Sequence, residues 1–479
     1  MNRYVQYMYS YPHKTAYRPL QHVNLGDYMG NLEGEGHSLY LNLPFCESKC
    51  GYCNLFSVAG CDQALVEEYL EAVRRQVLQY REVLPGSTVF GDFTIGGGTP
   101  LLLSEGQLDR VFQMVRSMLP LGKEAQVVIE TAPRQTCREK VALLKKLGVT
   151  RVSLGIQSFA GEELAWLGRR HDPAQARRAA GLLMEAGFAC VNFDFIYGLP
   201  GQTAGSLLES LETAVAYAPE EIFLYPLYIK HGVRMEQEGK GNVLDPEHTY
   251  ALYRAGSACL KENGYVQVSM RRVQRRSARN PRPGTVLCEC GLSGALSLGC
   301  GGRSYLGPLH TCTPYRITRR EALEEIRQFG RREDFLAAPH GILLSEEEMR
   351  RRYVIRHLLI RPGISKEAYR KAFGRELAED FPVLGEWMER GWIAEGNQDA
   401  EGNRGAEGNQ DVEENRGAEG NRGREGKEAS LYSLTKEGLG LSDYIGPMLI
   451  SEDIRDRMLE WEREHGQKDH TLQGGLEKL

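Results

Sequence analysis

The sequence predicts an α/β fold: a partial (β/α)6 barrel followed by a winged-helix-like C-terminal domain. Between residues 38 and 235, six short apolar segments alternate with longer segments of helical period, and this alternation is typical of parallel βα units. Six strands are fewer than the eight of a closed barrel, so we expect an open barrel with its chemistry at the carboxyl ends of the strands. The remaining residues leave room for about two further domains.

The barrel elements follow one another in chain order. The predicted strands are Leu39–Leu43, Thr88–Ile95, Gln126–Thr131, Arg151–Ile156, Cys190–Ile196 and Glu221–Ile229. The predicted helices are Gln63–Tyr80, Glu105–Met118, Thr136–Leu147, Pro173–Ala186 and Ala204–Ala216. Gly148 and Gly187 stand just before a strand, at positions typical of helix C-caps. Residues 1–37 are predicted to be an N-terminal extension, and residues 236–340 an extension of the barrel that contains a basic loop.

Residues 341–479 carry the winged-helix pattern. Three short helices are predicted at Glu346–Leu359, Ser365–Phe373 and Phe381–Arg390, then two short strands at Trp392–Ile393 and Leu431–Leu434, and a last helix at Glu452–His465. This order is that of a winged helix. Residues 395–427 repeat a unit such as EGNQDA or EGNRGA and contain a single apolar residue larger than Ala, Val412. We expect this insert to be disordered and assign it no function.

The composition indicates a globular protein of mixed charge. The chain has 59 Lys and Arg against 64 Asp and Glu, a net charge of −5, which argues against binding of nucleic acid through bulk charge. A nucleic-acid partner is therefore disfavoured, although the predicted winged helix leaves nucleic-acid binding as an alternative. No apolar run reaches the length of about 18 residues that spans a bilayer, and Met1 to Leu20 lacks a secretory apolar region. We expect a cytoplasmic protein without a membrane partner.

Cysteine spacing gives the strongest chemical signal. Cys46, Cys50 and Cys53 form C-x3-C-x2-C directly after the first predicted strand. Three thiolates on one loop can hold three irons of a [4Fe–4S] cluster and leave the fourth iron open to a ligand. A structural zinc site is the alternative, but zinc usually takes four ligands and no second cysteine pair lies nearby in the sequence. The other cysteines, including Cys288, Cys290, Cys300 and Cys312, are interpreted as structural thiols rather than a second cluster.

Polar or glycine residues follow the next strands at the same relative position. Gly96-Gly97-Gly98-Thr99-Pro100 ends the second strand, and consecutive glycines expose backbone N–H and C=O groups to a ligand. Glu130, Gln157 and Asp194 end the third, fourth and fifth strands. Each residue alone is equally well explained as a solvated or capping residue. Together they predict a cofactor site at the mouth of the barrel.

These segments resemble the radical S-adenosylmethionine (SAM) superfamily. CESKCGYC, GGGTP, SLGIQSF at Ser153–Phe159 and NFDFIYGLPGQT at Asn192–Thr203 are similar to the branch that holds the oxygen-independent coproporphyrinogen III oxidases (HemN) and the heme chaperones (HemW). The resemblance covers roughly Tyr9 to Gly307. It implies a [4Fe–4S] cluster on the three cysteines, one or two SAM molecules, and formation of a 5′-deoxyadenosyl radical. It also implies a low-potential electron donor such as flavodoxin or ferredoxin.

The resemblance assigns roles to individual residues. In that branch, the positions that match Tyr40, Gly97, Glu130 and Val268 contact the SAM bound to the cluster. The positions that match Tyr52, Gly98, Thr99, Gln157, Arg169 and Asp194 contact a second SAM.

The motifs do not single out one member of the branch. Tyr9-Ser10-Tyr11-Pro12 is similar to a segment of the oxidases, but Asn54 stands where the oxidases have a further cysteine, and the heme-binding segment of the chaperones is missing. The resemblance implies a tetrapyrrole-metabolising oxidoreductase, with oxidative decarboxylation of a propionate as the leading reaction. The alternatives are a heme chaperone without turnover and a radical SAM enzyme with a different substrate.

A cluster of arginines bears on the substrate. Arg271, Arg272, Arg275, Arg276, Arg279 and Arg282 lie close together in the sequence. Arginine binds carboxylates through two parallel hydrogen bonds, and a porphyrinogen carries several propionates. We therefore expect a basic loop over the barrel mouth, with Arg271 and Arg272 contacting the substrate; a solvated basic loop is the equal alternative.

Overall fold

Six parallel strands form the centre of the molecule. The computed structural model describes residues 3–230, 232–240, 245–276, 293–316, 318–396 and 431–465. The six central strands are Glu35–Leu43, Val89–Gly97, Leu121–Thr131, Arg151–Gln157, Cys190–Tyr197 and Glu221–Pro226. They pair with one another in chain order, and every pairing is parallel. The predicted α/β class with a parallel sheet is confirmed.

The sheet extends beyond these six strands on both sides. Ala295–Leu298 lies parallel to the first central strand and leads through Arg303–Leu306, Leu309–Cys312 and His340–Leu343 to Arg18–Pro19. On the other side, Arg272–Arg275 pairs antiparallel with the sixth central strand and is followed by Tyr265–Gln267. Together with the six central strands, these strands make one sheet of thirteen. The sequence indicated only six because the added strands have two to four residues, too few for a reliable periodic pattern.

Helices connect the central strands and cover the sheet. They are Gln63–Val83, Glu105–Met118, Arg138–Lys146, Gly161–Trp166, Pro173–Ala186 and Ala204–Ala216, followed by Arg234–Gln237, Pro246–Glu262 and Arg319–Arg331. Ser104, Asp172 and Thr203 each form a capping box with the residue three positions later. Such caps satisfy backbone N–H groups that the first helical turn leaves free, so these helices begin where the sequence predicts.

A second hydrophobic core lies in the C-terminal part of the chain. Its helices are Glu346–Leu358, Lys366–Phe373, Leu377–Asp380, Val383–Glu389, Lys436–Gly440, Ser442–Met448 and Glu452–Glu464. Ile364–Ser365, Ile393–Gly396 and Leu431–Leu434 form a small antiparallel sheet beside them. Trp387 and Tyr369 are fully buried in this core. The three helices, two strands and last helix predicted for a winged helix are present, and Ile364–Ser365, Leu377–Asp380, Lys436–Gly440 and Ser442–Met448 are added to them. The boundaries of the predicted domains stay predictions.

The predicted start of the repeat insert is wrong by two residues. Glu395 and Gly396 belong to a strand and pair with Tyr432 and Leu431. Glu395 also forms an ion pair of 2.6 Å with Lys366. The rest of the insert predicted at residues 395–427 lies outside the described residues.

The N-terminal segment joins the two cores. Tyr4 is buried in the core of the large sheet, whereas Met8, Tyr11 and Tyr17 are buried in the C-terminal core. The Tyr11 hydroxyl donates a hydrogen bond to the Glu348 carboxylate. The segment that the sequence presents as an extension is therefore an integral part of the packing.

The expectation of a basic loop at Arg271 and Arg272 is wrong. Arg272 begins the strand Arg272–Arg275 and donates a hydrogen bond to Glu221, and Arg271 forms a buried ion pair with Asp443. Arg151 donates to the other oxygen of Glu221 at 2.7 Å. Buried guanidinium groups require such partners, so both side chains have acceptors inside the protein. Arg279 and Arg282 lie outside the described residues.

Glu221 provides a test of this buried ion cluster. Burial raises the pKa of Glu221, but Arg151 and Arg272 outweigh burial and lower it to about 2. We expect Glu221→Gln to lower the free energy of unfolding by about 3–5 kcal/mol at neutral pH, because it leaves two buried guanidinium groups without a counter-ion. A carboxylate with a depressed pKa stabilises the fold above its unfolded pKa, and this contribution disappears as the pH falls toward about 2. The difference between parent and variant should therefore shrink on acidification.

Urea unfolding at several pH values measures this difference. Glu71→Gln is the matched control, since Glu71 pairs with Arg74 on the surface of one helix and its loss should cost less than about 1 kcal/mol. Equal losses in the two variants would contradict the structural role of Glu221.

Candidate functional site

A cavity of about 630 Å³ opens at the carboxyl ends of the central strands. Its lining contains most of the residues that the sequence predicts for the site: Cys46, Cys50, Tyr52, Cys53, Gly97, Gly98, Thr99, Glu130, Gln157, Arg169 and Asp194. Parallel strands end at one edge of their sheet, so residues far apart in sequence meet there.

Two hydrogen-bond donors point at the thiols. The Thr99 hydroxyl lies 3.8 Å from Cys46 Sγ, and Arg169 Nη1 lies 3.2 Å from Cys50 Sγ. A cationic donor beside sulfur favours the thiolate, which is the form that ligates metal. Burial acts in the opposite direction and raises the pKa of Cys53 to about 11. A thiolate at Cys53 therefore requires a further positive charge next to it, which a ligated metal supplies.

The donor set fits an iron–sulfur cluster. Three thiols on one loop face the cavity, and two of them have donors of the kind that stabilise thiolate ligands. Across the described residues, no three His, Cys, Asp or Glu side chains are gathered so as to hold a single metal ion. The fit therefore rests on the thiols, their loop and the cavity, and not on a preassembled ligand cage.

The glycine turn locks the second strand against the cysteine loop. Gly98 N donates to Leu43 O and Thr99 N to Phe45 O, both at 2.8 Å. A Cβ atom on Gly98 would collide with the Phe45 backbone, and Gly97 has φ of +107°. Only glycine fits both conditions. Gly97 N donates to Glu130 Oε2 at 3.2 Å, so the turn also orients that carboxylate.

Asp194 and Gln157 are polar residues of the same cavity lining. Asp194 accepts hydrogen bonds from Asn192 at 2.8 Å and from Ser153 at 3.1 Å, and burial raises its pKa to about 6. Gln157 is a non-glycine residue with φ of +72°. Such strained backbone positions concentrate at functional sites, and Gln157 lines the cavity.

Four predicted site residues lie away from the cavity lining. The Tyr40 hydroxyl and the Glu130 carboxylate both lie next to Gly96. A Cβ atom added to that glycine would be within 2.8 Å of each of them. Val268 is joined by backbone hydrogen bonds to Arg272 and Arg361. Arg271 and Arg272 line a second cavity of about 140 Å³. Contact of Tyr40 and Val268 with SAM, and of the two arginines with substrate, stays a prediction.

Sequence reasoning missed a group of aromatic and basic residues in the same cavity. The lining also contains Tyr7, Tyr9, His13 and Lys14 from the N-terminal segment, Tyr225 in the sixth strand, Tyr228 and Lys230 just after that strand, and Tyr315. The position of Tyr225 to Lys230 at a strand end was a usable signal. In the N-terminal segment the only signal was the similarity of Tyr9-Ser10-Tyr11-Pro12 to the oxidases, because that segment has no periodic pattern.

Known proteins resemble the chain along much of its length. Residues 43–214 match the Radical SAM superfamily. The chain is 34% identical over 226 residues to the heme chaperone HemW of Mycobacterium tuberculosis. These aligned residues make up 47% of this chain and 58% of that protein. It is 27% identical over 361 residues to HemW of Bacillus subtilis, and the alignment covers 74% of this chain and 92% of that protein. It is also 27% identical over 281 residues to the oxygen-independent coproporphyrinogen III oxidase of Synechocystis, covering 56% and 60%.

One solved structure matches almost the whole chain. Coproporphyrinogen III oxidase (HemN) from Escherichia coli superposes with a TM-score of 0.73 at 20% identity, covering 92% of this chain and 96% of the other. At this identity, the match establishes the fold.

The chain carries a radical SAM domain, and the class that its motifs predict is confirmed. Within that superfamily its relatives are the heme chaperones HemW and the oxygen-independent coproporphyrinogen III oxidases, the branch that the motifs indicate. The superfamily implies a [4Fe–4S] cluster and SAM as cofactors. In the described part of the chain, no helix is both long and apolar enough to span a bilayer.

Asp194 generates a prediction on pH dependence. SAM carries positive charge, and ionised Asp194 attracts it to the cavity wall. Because burial raises the pKa of Asp194 to about 6, the carboxylate is ionised above that pH and neutral below it. We expect the affinity of the reconstituted protein for SAM to fall by about tenfold from pH 7.5 to pH 5. Asp194→Asn should bind weakly at both pH values.

Equilibrium dialysis with labelled SAM measures both affinities. The control is Glu47→Gln, which removes a half-exposed carboxylate from the same cavity and should keep the pH step. A step of unchanged size in Asp194→Asn would assign the titration to another group.

Proposed function

We propose that this protein cleaves SAM reductively on a [4Fe–4S] cluster held by Cys46, Cys50 and Cys53, and directs the resulting radical at a tetrapyrrole in the same cavity. The main support for this proposal is that the three thiols share one cavity with the polar ends of the second to fifth strands. When bound and reduced, the cluster supplies the electron that splits SAM into methionine and a 5′-deoxyadenosyl radical.

The residues of the cavity have distinct roles in this proposal. Glu130 and Asp194 hold the positively charged groups of SAM, and Arg169 stabilises the Cys50 thiolate with its hydrogen bond of 3.2 Å. Tyr52, Tyr225 and Tyr228 line the cavity, and burial raises the pKa of each hydroxyl so that it stays neutral. A wall of neutral aromatic groups excludes water, which protects a reactive radical.

Oxidative decarboxylation of a propionate is the leading reaction. It is supported by the fold, which matches a coproporphyrinogen III oxidase over 92% of the chain, and by relatives of that name. Hydrogen abstraction forms 5′-deoxyadenosine, carbon dioxide leaves, and a one-electron acceptor takes up the remaining electron. A flavodoxin or ferredoxin is the expected donor of the first electron.

Heme binding without turnover is the second candidate. It is favoured by the curated relatives at 34% and 27% identity, which are named heme chaperones. Both candidates share the cluster and the SAM site and differ in what happens to the tetrapyrrole.

Cluster ligation is tested by cysteine variants. We expect the anaerobically reconstituted parent protein to hold about four irons per chain and to release 5′-deoxyadenosine under reductant. Cys50→Ala and Cys53→Ala should lose this release by more than about a hundredfold, because the cluster loses a thiolate. Cys137→Ala is the matched control, since Cys137 is a partly buried thiol before a helix and makes no capping hydrogen bond. A triple variant that keeps four irons and full SAM cleavage would refute the assignment.

The two candidates are separated by giving the loaded protein coproporphyrinogen III and heme in parallel. Mass loss corresponding to carbon dioxide, together with 5′-deoxyadenosine, identifies the oxidase. Stoichiometric heme binding without loss of carbon dioxide identifies the chaperone. SAM cleavage with neither result would assign the radical to a substrate that is not a tetrapyrrole.

A further inference from the structure

One end of the large cavity is made by the N-terminal segment. Lys14 begins a short 3-10 turn, Lys14–Ala16, whose other two residues are buried, and the His13 side chain accepts a hydrogen bond from the backbone N–H of Thr15. The ammonium of Lys14 lies 3.7 Å from the centre of the Tyr315 ring, and both side chains line the cavity. A cation over an aromatic face is held in place without being neutralised.

Arg303 lies outside the cavity lining and orients Tyr9. It donates to the Tyr9 hydroxyl at 2.8 Å and also to the Ser10 hydroxyl. The Tyr9 hydroxyl is 3.1 Å from His13 Nε2, and Tyr9 and His13 line the cavity. Within the described part of the chain, the acceptors of Arg303 are thus hydroxyl groups, whereas Arg271 and Arg272 have carboxylates.

The ionisable side chains at this end of the cavity are mostly basic. Burial, with Arg303 and Lys49 acting in the same direction, lowers the pKa of Lys14 to about 7. Burial also lowers the pKa of His13, with Arg303, Lys14 and Lys230 acting in the same direction. Crowded cations in a desolvated site are costly unless an anion compensates them.

Carboxylates also line the cavity, and their positions matter to the inference. Glu47 is paired with Arg134 at 2.9 Å, and Asp194 is bonded to Asn192 and Ser153. Glu130 and Glu462 are the other acids of the lining. The groups that act most strongly on Lys14 are Arg303, Lys49 and the Cys312 and Cys53 thiols, and no carboxylate is among them.

We propose that Lys14 and Tyr9 form an anion subsite of the cavity, which binds a carboxylate of the ligand through the Lys14 ammonium and the Tyr9 hydroxyl. Arg303 is a positioning residue that holds Tyr9. The inference rests on the proposed function, because it places the ligand in the cavity that contains the thiols. A carboxylate can come from a tetrapyrrole side chain or from the methionine part of a second SAM, and both have the same chemistry.

The test compares charged and esterified probes. Binding of coproporphyrin III and of its tetramethyl ester, in the same detergent, is followed by quenching of protein fluorescence; SAM binding is followed by dialysis. Lys14→Met should weaken coproporphyrin III binding by about tenfold or more and leave the ester unchanged, because only the acid can pair with the ammonium. Lys14→Arg should restore most of the affinity. Tyr9→Phe and Arg303→Met should each weaken the acid and spare the ester.

Lys145→Met is the matched control. Lys145 is an exposed lysine whose ammonium lies 5.1 Å from the Phe188 ring centre, and its loss should change neither probe. Loss of SAM affinity in Lys14→Met, with porphyrin binding intact, supports the subsite and identifies SAM as the source of the carboxylate. Equal weakening of acid and ester, or no restoration by Lys14→Arg, overturns it in favour of a structural role. So does unchanged binding of both the acid and SAM in Lys14→Met.

Failure of the proposed function is seen separately, in the parent protein. A parent that cleaves SAM but does not bind coproporphyrin III overturns the tetrapyrrole assignment, and the SAM measurement then decides the subsite. A parent that binds neither probe overturns both.

Discussion

The parallel pairing of the six central strands is the constraint on which the site depends. Backbone hydrogen bonds fix the register of each strand against the next, so that Leu43 stands opposite Gly97 and Gly155 opposite Asp194. All carboxyl ends therefore emerge at one edge, and the loops that follow them must share one space. The cysteine loop, the glycine turn and the carboxylates reach that space because of backbone pairing and do not need to contact one another to be brought together.

Charge compensation divides the buried ionic groups into two kinds. Arg151 and Arg272 are the first residues of their strands and share the Glu221 carboxylate, and neither arginine lines the large cavity. Each guanidinium thus has a carboxylate partner within the fold, which is what a structural role requires. Arg303 instead has hydroxyl acceptors, and Lys14 lies over an aromatic ring. Arginine count alone is therefore a poor guide to ligand binding: the cluster at residues 271–282 drew attention in the sequence, but its first two members are balanced internally.

Local patterns in the sequence predicted the central fold and much of the site. Alternating apolar segments mark strands and helices, and helix caps such as Ser104 mark their ends, because these signals act over a few residues. The partners of the N-terminal segment could not be predicted in this way. Tyr11 reaches Glu348 across 337 positions, and such a contact depends on the assembled topology. The positive φ of Gln157 likewise depends on its surroundings in the fold, so no local pattern in the sequence predicts it.

Part of the cavity lining lies outside the region that matches the superfamily. The match covers residues 43–214, whereas Lys14 comes before it and Tyr228 after it. Tyr228 donates to Asp443, and Glu462 lines the cavity itself, so the C-terminal core takes part in shaping the wall. The motifs that match the superfamily and this further part of the lining are thus encoded in different parts of the chain. The superfamily therefore follows from the sequence more directly than the substrate, because part of the cavity lining is formed by residues outside the matched region.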